Sequence, residues 1–233
     1  MPAYRSPDEG EVREAVVARL RQMMPAARIM HEVNAASFGN RIDVLAVDKA
    51  EIAAVEIKSK KDKLDRLPDQ IKAMTGVAHH VIVALHEKFL VETPTNQWAA
   101  HTERDGKFYR AALPDVVDRL GTKVMPWVYP LRNRAITAGG YNDYLWRAPQ
   151  PVFAEALPSG ALNMLWQAEL VTMCARHRVP ANSRATMDFM RRALRWHLTG
   201  AELTRAICAA LRARECIEAD PAIPFELESR DAA

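Results

Sequence analysis

Apolar side chains recur at every fourth position near the start of the chain. Val12, Val16 and Leu20 therefore fall on one face of a helix. Residues 6–9 (SPDE) precede them as a capping box, in which the serine accepts an amide hydrogen bond and the proline occupies the first helical position. We expect a helix that begins after this box and ends before Pro25.

The next segments change from helical spacing to short aliphatic runs. Residues 29–33 form one such run, and residues 42–47 (IDVLAV) and 52–58 (IAAVEIK) form two more on either side of the polar residues 48–51 (DKAE). Aliphatic and β-branched residues that flank a short polar loop are typical of a β-hairpin. The pattern predicts an antiparallel pair of strands with residues 48–51 as the loop.

A helix and a further strand follow the hairpin. Residues 62–76 have helical composition, and Pro68 within them marks a helix start or a bend. Residues 79–85 (HHVIVAL) form an apolar run with the length of a buried strand. The predicted order is helix, three strands, helix, strand, which indicates an α/β core with a mixed sheet.

Helical periodicity returns in the last third of the chain. Residues 161–178 and 184–198 are predicted as two helices, and residues 199–202 (TGAE) end the second helix at the glycine and cap a third. Prolines and a pair of glycines before the first of these helices indicate an irregular connector. The predicted divisions are a core at 1–124, a connector at 125–160, a helical bundle at 161–218 and an acidic, flexible tail at 219–233.

Charge and cysteine content narrow the function only slightly. The 233 residues carry a net charge of +3, too small to identify a nucleic-acid partner, although residues 161–218 hold nine arginines against five acids. No apolar stretch has the length of a membrane span, and the first residues lack the apolar core of a signal peptide. The three cysteines form no close pair. We expect a cytoplasmic protein with reduced cysteines and no membrane partner.

The predicted hairpin brings two acidic side chains together. If residues 48–51 form the loop, the antiparallel register sets Asp43 opposite Glu56. Directly opposed side chains share a face and lie about 4.5–5.5 Å apart at Cβ. Lys58 comes two residues after Glu56 and therefore points to the same face.

These residue types suit metal-assisted phosphodiester hydrolysis. Asp43 and Glu56 would repel each other on aliphatic strands unless a cation lay between them. Mg²⁺ or Mn²⁺ held by both carboxylates and the backbone carbonyl of Ile57 would leave room for water and a substrate phosphate. Lys58 could then orient the attacking water. Alternatively, the two acids are solvated edge residues and Lys58 is simply their ion-pair partner.

Three motifs in this region resemble the PD-(D/E)xK nuclease superfamily. They are residues 40–44 (NRIDV), 55–59 (VEIKS) and 61–70 (KDKLDRLPDQ). Within the superfamily, the chain resembles a bacterial and phage group with EIKS and RLxxQ motifs, most strongly over residues 29–85. Ile42 stands where the name of the superfamily has proline. The resemblance implies an α/β fold with a restriction-endonuclease-like core, followed here by a helical bundle.

The resemblance also implies roles for individual residues. Asp43 and Glu56 would bind Mg²⁺ or Mn²⁺, Lys58 would be the catalytic lysine, and Gln70 would position the substrate or the lysine. Many relatives have a further acidic ligand, for which Glu32 is the candidate in this chain. A surface charge is an equally good interpretation of Glu32.

Basic residues after the predicted site and in the bundle are candidates for contacts with nucleic-acid phosphates. They are Lys60, Lys61, Lys63 and Arg66 near the site, and Arg191 and Arg192 in the bundle. The leading hypothesis is an endonuclease that acts on DNA in the cytoplasm of a bacterial or phage-infected cell, and a homodimer is compatible with it. The alternatives are a nucleic-acid-binding protein that has the fold without catalysis, and a nuclease for RNA.

Overall fold

The helices and strands come from a computed structural model, which describes residues 6–35, 40–96, 102–120, 124–131, 146–148, 155–181 and 184–225. Strands β1 to β8 span Arg28–Asn34, Arg41–Val47, Ile52–Lys58, His80–His86, Val91–Thr95, Thr102–Arg104, Lys107–Ala112 and Val124–Tyr129. Helices α1 to α6 span Pro7–Met23, Leu67–Thr75, Asp115–Asp118, Gln167–Arg176, Met187–His197 and Gly200–Ala213. Short 3₁₀ turns lie at Glu87–Phe89 and Ser159–Met164.

The main sheet has five strands in the order β1-β2-β3-β4-β8. The β1–β2 and β2–β3 pairs are antiparallel, whereas the β3–β4 and β4–β8 pairs are parallel. A second, antiparallel sheet has the order β5-β7-β6. The protein is therefore a mixed α/β chain with a mixed sheet, and the predicted order of helix, three strands, helix and strand is confirmed.

Helix α1 follows the pattern of its sequence. The Ser6 side chain caps its first turn, and Val12, Val16 and Leu20 are fully buried against one face of the main sheet. Trp127 of β8 belongs to the same apolar cluster. Each fully buried aliphatic side chain contributes about 1.5–3 kcal/mol to folding, so this stripe fixes α1 on the sheet.

The hairpin and α2 also lie where the sequence predicts them. β2 and β3 flank residues 48–51, and the Asp48 N–H donates to the Glu51 carbonyl across the loop at 2.8 Å. α2 begins at Leu67 with Pro68 in its first turn, which confirms the predicted helix start. α2 packs on the face of the sheet opposite α1.

The predicted connector at 125–160 is wrong for its first residues, because β8 is a strand of the main sheet. β8 pairs in parallel with β4 and lies at the edge of the sheet. Pro126 suggested an irregular segment, but an edge strand tolerates proline because one row of its backbone groups has no ladder partner. Residues 132–145 and 149–154 of the predicted connector lie outside the described residues.

The C-terminal helices pack directly on the main sheet. Leu170 of α4, Leu194 of α5 and Leu211 of α6 are buried in the same apolar cluster as Leu45 and Val83 of the sheet. The predicted bundle therefore shares its core with the α/β part of the chain. None of the described helices combines the length and apolar character that crossing a membrane requires.

Helix boundaries in this region differ from the prediction, and the helix predicted at 184–198 spans Met187–His197. The predicted helix at 161–178 starts only at Gln167, because the 3₁₀ turn precedes it. The predicted cap of the third helix is confirmed, since the Thr199 hydroxyl accepts the Glu202 N–H and the Glu202 carboxylate accepts the Thr199 N–H. Gly200, however, is the first residue of α6 rather than the end of α5.

The predicted flexible tail at 219–233 is wrong for its first residues, because Ala219 and Asp220 bind the sheet and Ile223 binds α6. Ala219 forms a β-bridge with Met30 at the edge of β1. The Asp220 N–H donates to the Ile29 carbonyl at 2.9 Å, and the Asp220 carboxylate accepts the Ile29 N–H at 2.9 Å. The remaining residues of the tail, 226–233, lie outside the described residues.

Candidate active site

The antiparallel register of β2 and β3 is the predicted one and runs from Val47↔Ile52 to Val44↔Val55. One step further along this register, Asp43 comes beside Glu56. At this point the side chain of Asp43 bonds to the backbone of β3, because its Oδ2 accepts the Ile57 N–H at 2.7 Å. The structure therefore places Asp43 against the end of β3 that carries Glu56.

The two carboxylate oxygens of Glu56 differ in their hydrogen bonding. Its side chain is 2% exposed. Oε1 accepts from Lys58 Nζ at 2.8 Å and from the amide nitrogen of Gln70. Oε2 is buried and has no hydrogen-bond partner within the described part of the chain. A buried anionic oxygen without a partner is costly, so this position favours a cation or a proton.

Gln70 joins the two groups predicted to act together. Its amide oxygen accepts from Lys58 Nζ at 2.8 Å, while its amide nitrogen donates to Glu56. Gln70 reaches them because α2 starts at Leu67 and packs over β3. Lys58, Glu56 and Gln70 thus form one hydrogen-bonded group in which the lysine ammonium has a fixed position.

The two acids are electrostatically linked. Burial raises the pKa of Asp43 to about 8, and the charge of Glu56 acts in the same direction, while the Ile57 N–H and Arg13 oppose the rise. Burial also raises the pKa of Glu56, and Lys58 acts against it. Because each charge disfavours the other, the pair holds two negative charges easily only when a cation neutralises them.

The pKa of Asp43 predicts how the stability of the metal-free protein depends on pH. The ordinary pKa is 3.8, and the folded-state value is about 8. Between these values the folded protein binds more protons than the unfolded chain, so the free energy of unfolding should fall as the pH rises from about 4 to about 8. Urea unfolding in EDTA across this range should show a shallower fall for Asp43→Asn. If the free energy of unfolding fell equally steeply with pH in both proteins, Asp43 would not be the group with the raised pKa.

Arg13 of α1 is a site residue that the sequence analysis missed. It is 1% exposed and donates to the Asp43 carbonyl at 2.6 Å, to Glu9 at 2.5 Å and to Glu32 at 2.9 Å. Its guanidinium also lies 3.9 Å from the Asp43 carboxylate. The signal was available, because position 13 precedes Val16 by three residues and Leu20 by seven and therefore lies on the buried face of α1. A charge on such a face needs buried partners.

Glu32, the predicted further metal ligand, forms ion pairs with two arginines. In addition to its bond with Arg13, it lies 3.6 Å from Arg41. Its φ of 54° is in the left-handed region, which is strained for a residue with a side chain. The charge of Glu32 raises the pKa of Asp43, so it is near the site. Its role as a ligand stays a prediction.

The basic residues after β3 lie in two settings. Lys60 and Lys61 form ion pairs with Asp8 of α1 at 2.5 and 2.8 Å, and both side chains remain more than half exposed. Lys63 and Arg66 are exposed. All four remain accessible to a phosphate, and their contact with nucleic acid stays a prediction.

The two predicted arginines of the bundle lie on α5. Arg191 is mostly buried and pairs with Asp188 at 3.1 Å, whereas Arg192 is exposed. α5 packs against α4 and α6. Arg191 is therefore partly neutralised, and Arg192 is the better candidate of the two for a phosphate contact.

The donor set around Asp43 and Glu56 fits a hard divalent cation. The orphaned Glu56 Oε2 and the Asp43 carboxylate offer oxygen ligands, which Mg²⁺ prefers, and Mg²⁺ commonly takes only one or two carboxylates together with water and substrate. The described residues contain no group of three or more histidine, cysteine, aspartate or glutamate side chains that could hold a metal ion. A protein site would therefore be completed by backbone or water oxygens, and the Ile57 carbonyl stays the predicted third ligand.

Comparison with known proteins relates the N-terminal part of the chain to bacteriophage proteins. Residues 4–95 match the family described as Bacteriophage P4 protein cII. The matched segment runs from α1 to β5 and includes Asp43, Glu56, Lys58 and Gln70, but it covers less than half of the chain. No curated protein and no solved structure matches the chain significantly. The match is a similarity to a phage family over this segment.

Proposed function

We propose that the protein is a metal-dependent nuclease of the PD-(D/E)xK type that hydrolyses phosphodiester bonds, with DNA as the favoured substrate. The proposal rests mainly on one observation. Glu56, Lys58 and Gln70 form a single hydrogen-bonded group beside Asp43, and one buried oxygen of Glu56 has no partner among the described residues. We further propose that α1, β1 to β4 and α2 form a restriction-endonuclease-like core.

The position of the site in the sheet supports this proposal. Glu56 and Lys58 lie at the carboxyl end of β3, which is parallel to β4, and ligands of such sheets bind outside the carboxyl ends of the strands. The Asp43 side chain keeps 20% exposure, so the acidic pair has a route to solvent. The exposed lysines that follow β3 lie next along the chain and could contact phosphates on either side of the scissile bond.

Each residue of the site would have a different role in hydrolysis. Asp43 and Glu56 would hold Mg²⁺ or Mn²⁺, which lowers the pKa of a bound water and neutralises phosphate charge. Lys58 would place its ammonium group where negative charge develops on the phosphate. Gln70 would keep that ammonium in position through its amide oxygen. Arg13 would support Asp43 through a hydrogen bond to its backbone carbonyl.

A cleavage assay with a matched pair of lysine variants tests the proposal. Purified protein is incubated with plasmid DNA, single-stranded DNA and RNA in Mg²⁺ or Mn²⁺. Lys58→Ala should reduce cleavage by roughly 10²–10³-fold, because it removes a group that stabilises charge in the transition state. Lys49→Ala, which alters an exposed lysine of the hairpin loop at the other end of β3, should retain cleavage within a few-fold. Cleavage that is equally strong in Lys58→Ala would overturn the proposal.

The alternative is a nucleic-acid-binding protein without catalysis. The ion pair between Lys58 and Glu56 favours it, because the lysine neutralises one carboxylate without any metal. This alternative predicts binding that is independent of metal and no cleavage of any substrate in the panel. Cleavage of RNA alone would instead assign the site to an RNA-directed nuclease.

A further inference from the structure

Helix α5 exposes two aromatic side chains on one side. Trp196 is 86% exposed and Phe189 is 46% exposed. Seven residues separate them, which is close to two helical turns, so both rings project from the same side about 10 Å apart along the helix axis. Neighbouring exposed aromatic rings form an apolar patch, and such patches often mark a binding site.

Arginines accompany these rings. Arg192 lies between Phe189 and Trp196 on the same side of α5, is exposed, and forms no ion pair with any described residue. Arg195 directly precedes Trp196 and is also exposed. The acid of this helix, Asp188, is paired with the mostly buried Arg191. The exposed surface around the two rings is therefore positively charged.

An open groove lies beside Phe189. Its volume is about 710 Å³, and Phe189, Arg184 and Thr186 line it together with Pro180, Ala181 and Ala185. Pockets of this size hold groups as large as a drug-like molecule. The groove is mainly apolar, which suits a flat ring such as a base.

We infer that the α5 face, defined by Phe189, Arg192, Arg195 and Trp196 with the adjoining groove, binds single-stranded nucleic acid. Exposed rings would stack on unpaired bases while the arginines contact phosphates, which is the usual combination in single-strand binding. The bases of a duplex are already stacked on each other, so the rings favour a single strand. An apolar protein partner would not require the cationic side chains between the rings. This inference rests on the proposed function, since it adds a binding site for the same class of substrate.

Binding measured in EDTA tests the α5 face without cleavage. The probe is a fluorescein-labelled oligothymidine, and the readout is fluorescence anisotropy. Trp196→Ala and Phe189→Ala should each weaken binding about tenfold, within the range for loss of one base–aromatic stack. Trp196→Phe should retain most of the affinity, because phenylalanine keeps a stacking face. Ile217→Ala, which alters an apolar residue that is 94% exposed, serves as the control and should bind like the wild type.

An oligonucleotide without bases separates stacking from charge. Wild type and Trp196→Ala should bind this strand equally, because the ring has no base to stack on. Three results would overturn the inference. Trp196→Ala could bind oligothymidine as tightly as the wild type, or it could lose as much affinity for the strand without bases as for oligothymidine. The third result is that Trp196→Ala changes from dimer to monomer in sedimentation while its DNA affinity is unchanged. The last result would make the α5 face a protein interface.

The two proposals can fail separately. If no substrate is cleaved but Trp196→Ala still binds oligothymidine more weakly, the α5 site stands and the nuclease proposal falls. If Lys58→Ala abolishes cleavage while Trp196→Ala binds normally, the nuclease stands and the α5 site falls.

Discussion

Asp43→Asn is expected to abolish metal-dependent cleavage and at the same time to stabilise the metal-free protein. Asparagine keeps an oxygen that can accept the Ile57 N–H, so the local backbone should not change. It removes one of the two charges that would hold a divalent cation. Cleavage should fall by roughly 10²–10³-fold or more.

The gain in stability has an electrostatic origin. Burial and the charge of Glu56 raise the pKa of Asp43, so at neutral pH the folded protein keeps on this carboxyl a proton that the unfolded chain releases. This difference lowers the free energy of unfolding. Asparagine has no such proton to bind, so the substitution should raise the free energy of unfolding in EDTA by on the order of 1–3 kcal/mol. For a chain of this size, the gain corresponds to an increase in the melting temperature of about 2–12 °C.

The effect of Mn²⁺ on the melting temperature tests the same substitution in the presence of metal. Mn²⁺ should raise the melting temperature of the wild type, because a ligand that binds only the folded state stabilises it. It should leave Asp43→Asn nearly unchanged. Asp69→Asn, an exposed acid next to Gln70 on α2, serves as the control and should match the wild type in stability and cleavage. Normal cleavage by Asp43→Asn, or a loss of stability in EDTA, would contradict the metal-centre assignment.

Arg28→Met is expected to destabilise the fold severely. Arg28 is 1% exposed, and its Nη1 donates to the carbonyls of Leu211, Arg212 and Arg214 at 2.6–2.9 Å. Its Nε donates to the Asp220 carbonyl at 3.0 Å. One side chain of β1 thus binds the end of α6 and the segment that follows it.

The physical reason lies in the end of the helix. The last carbonyls of a helix have no partner within it, and the helix dipole favours a cation there. Methionine has a similar length but no donor, so these carbonyls would remain buried without partners. The expected loss is about 3–5 kcal/mol, as for the removal of one partner from a buried charged network. The melting temperature should then fall by about 6–20 °C.

Arg21→Met is the matched control for Arg28→Met. Arg21 also binds the C-terminal segment, through the Asp220 carboxylate at 2.7 Å, but its side chain is more than half exposed. An exposed ion pair contributes about 0–1 kcal/mol, so Arg21→Met should cost little. If urea unfolding gave equal losses for the two variants, the role of Arg28 as an anchor of α6 would be wrong.

Much of the candidate site could be predicted from local sequence. A polar loop at residues 48–51 and the alternation of side chains along a strand determine which residues of β2 and β3 face each other, so the neighbourhood of Asp43, Glu56 and Lys58 follows from the register. The role of Gln70 was predicted from the resemblance to a nuclease family. Its bonds to Lys58 and Glu56 became visible only when α2 was placed over β3.

Arg13 shows where prediction from the sequence failed. Its position on the buried face of α1 was readable, but its function depends on Glu32 and Asp43, which lie on two different strands. A buried arginine is stable only with such partners, and the sequence does not show which partners the fold will supply. The exposure of Trp196 could not be predicted either: tryptophan is usually a packing residue, and only the packing of α5 leaves this one uncovered.

The sequence by itself determined the elements whose signals are local: the capped helix α1, the β2–β3 hairpin with its register, the start of α2 and the cap of α6. Only the tertiary structure decided that β8 joins the main sheet, that the C-terminal helices share its core, and that Ala219 and Asp220 bind β1. Capping residues and hairpin loops act within a few positions along the chain. The strand, the shared core and the bound tail each depend on partners far away in the sequence, and those partners meet only when the chain is folded.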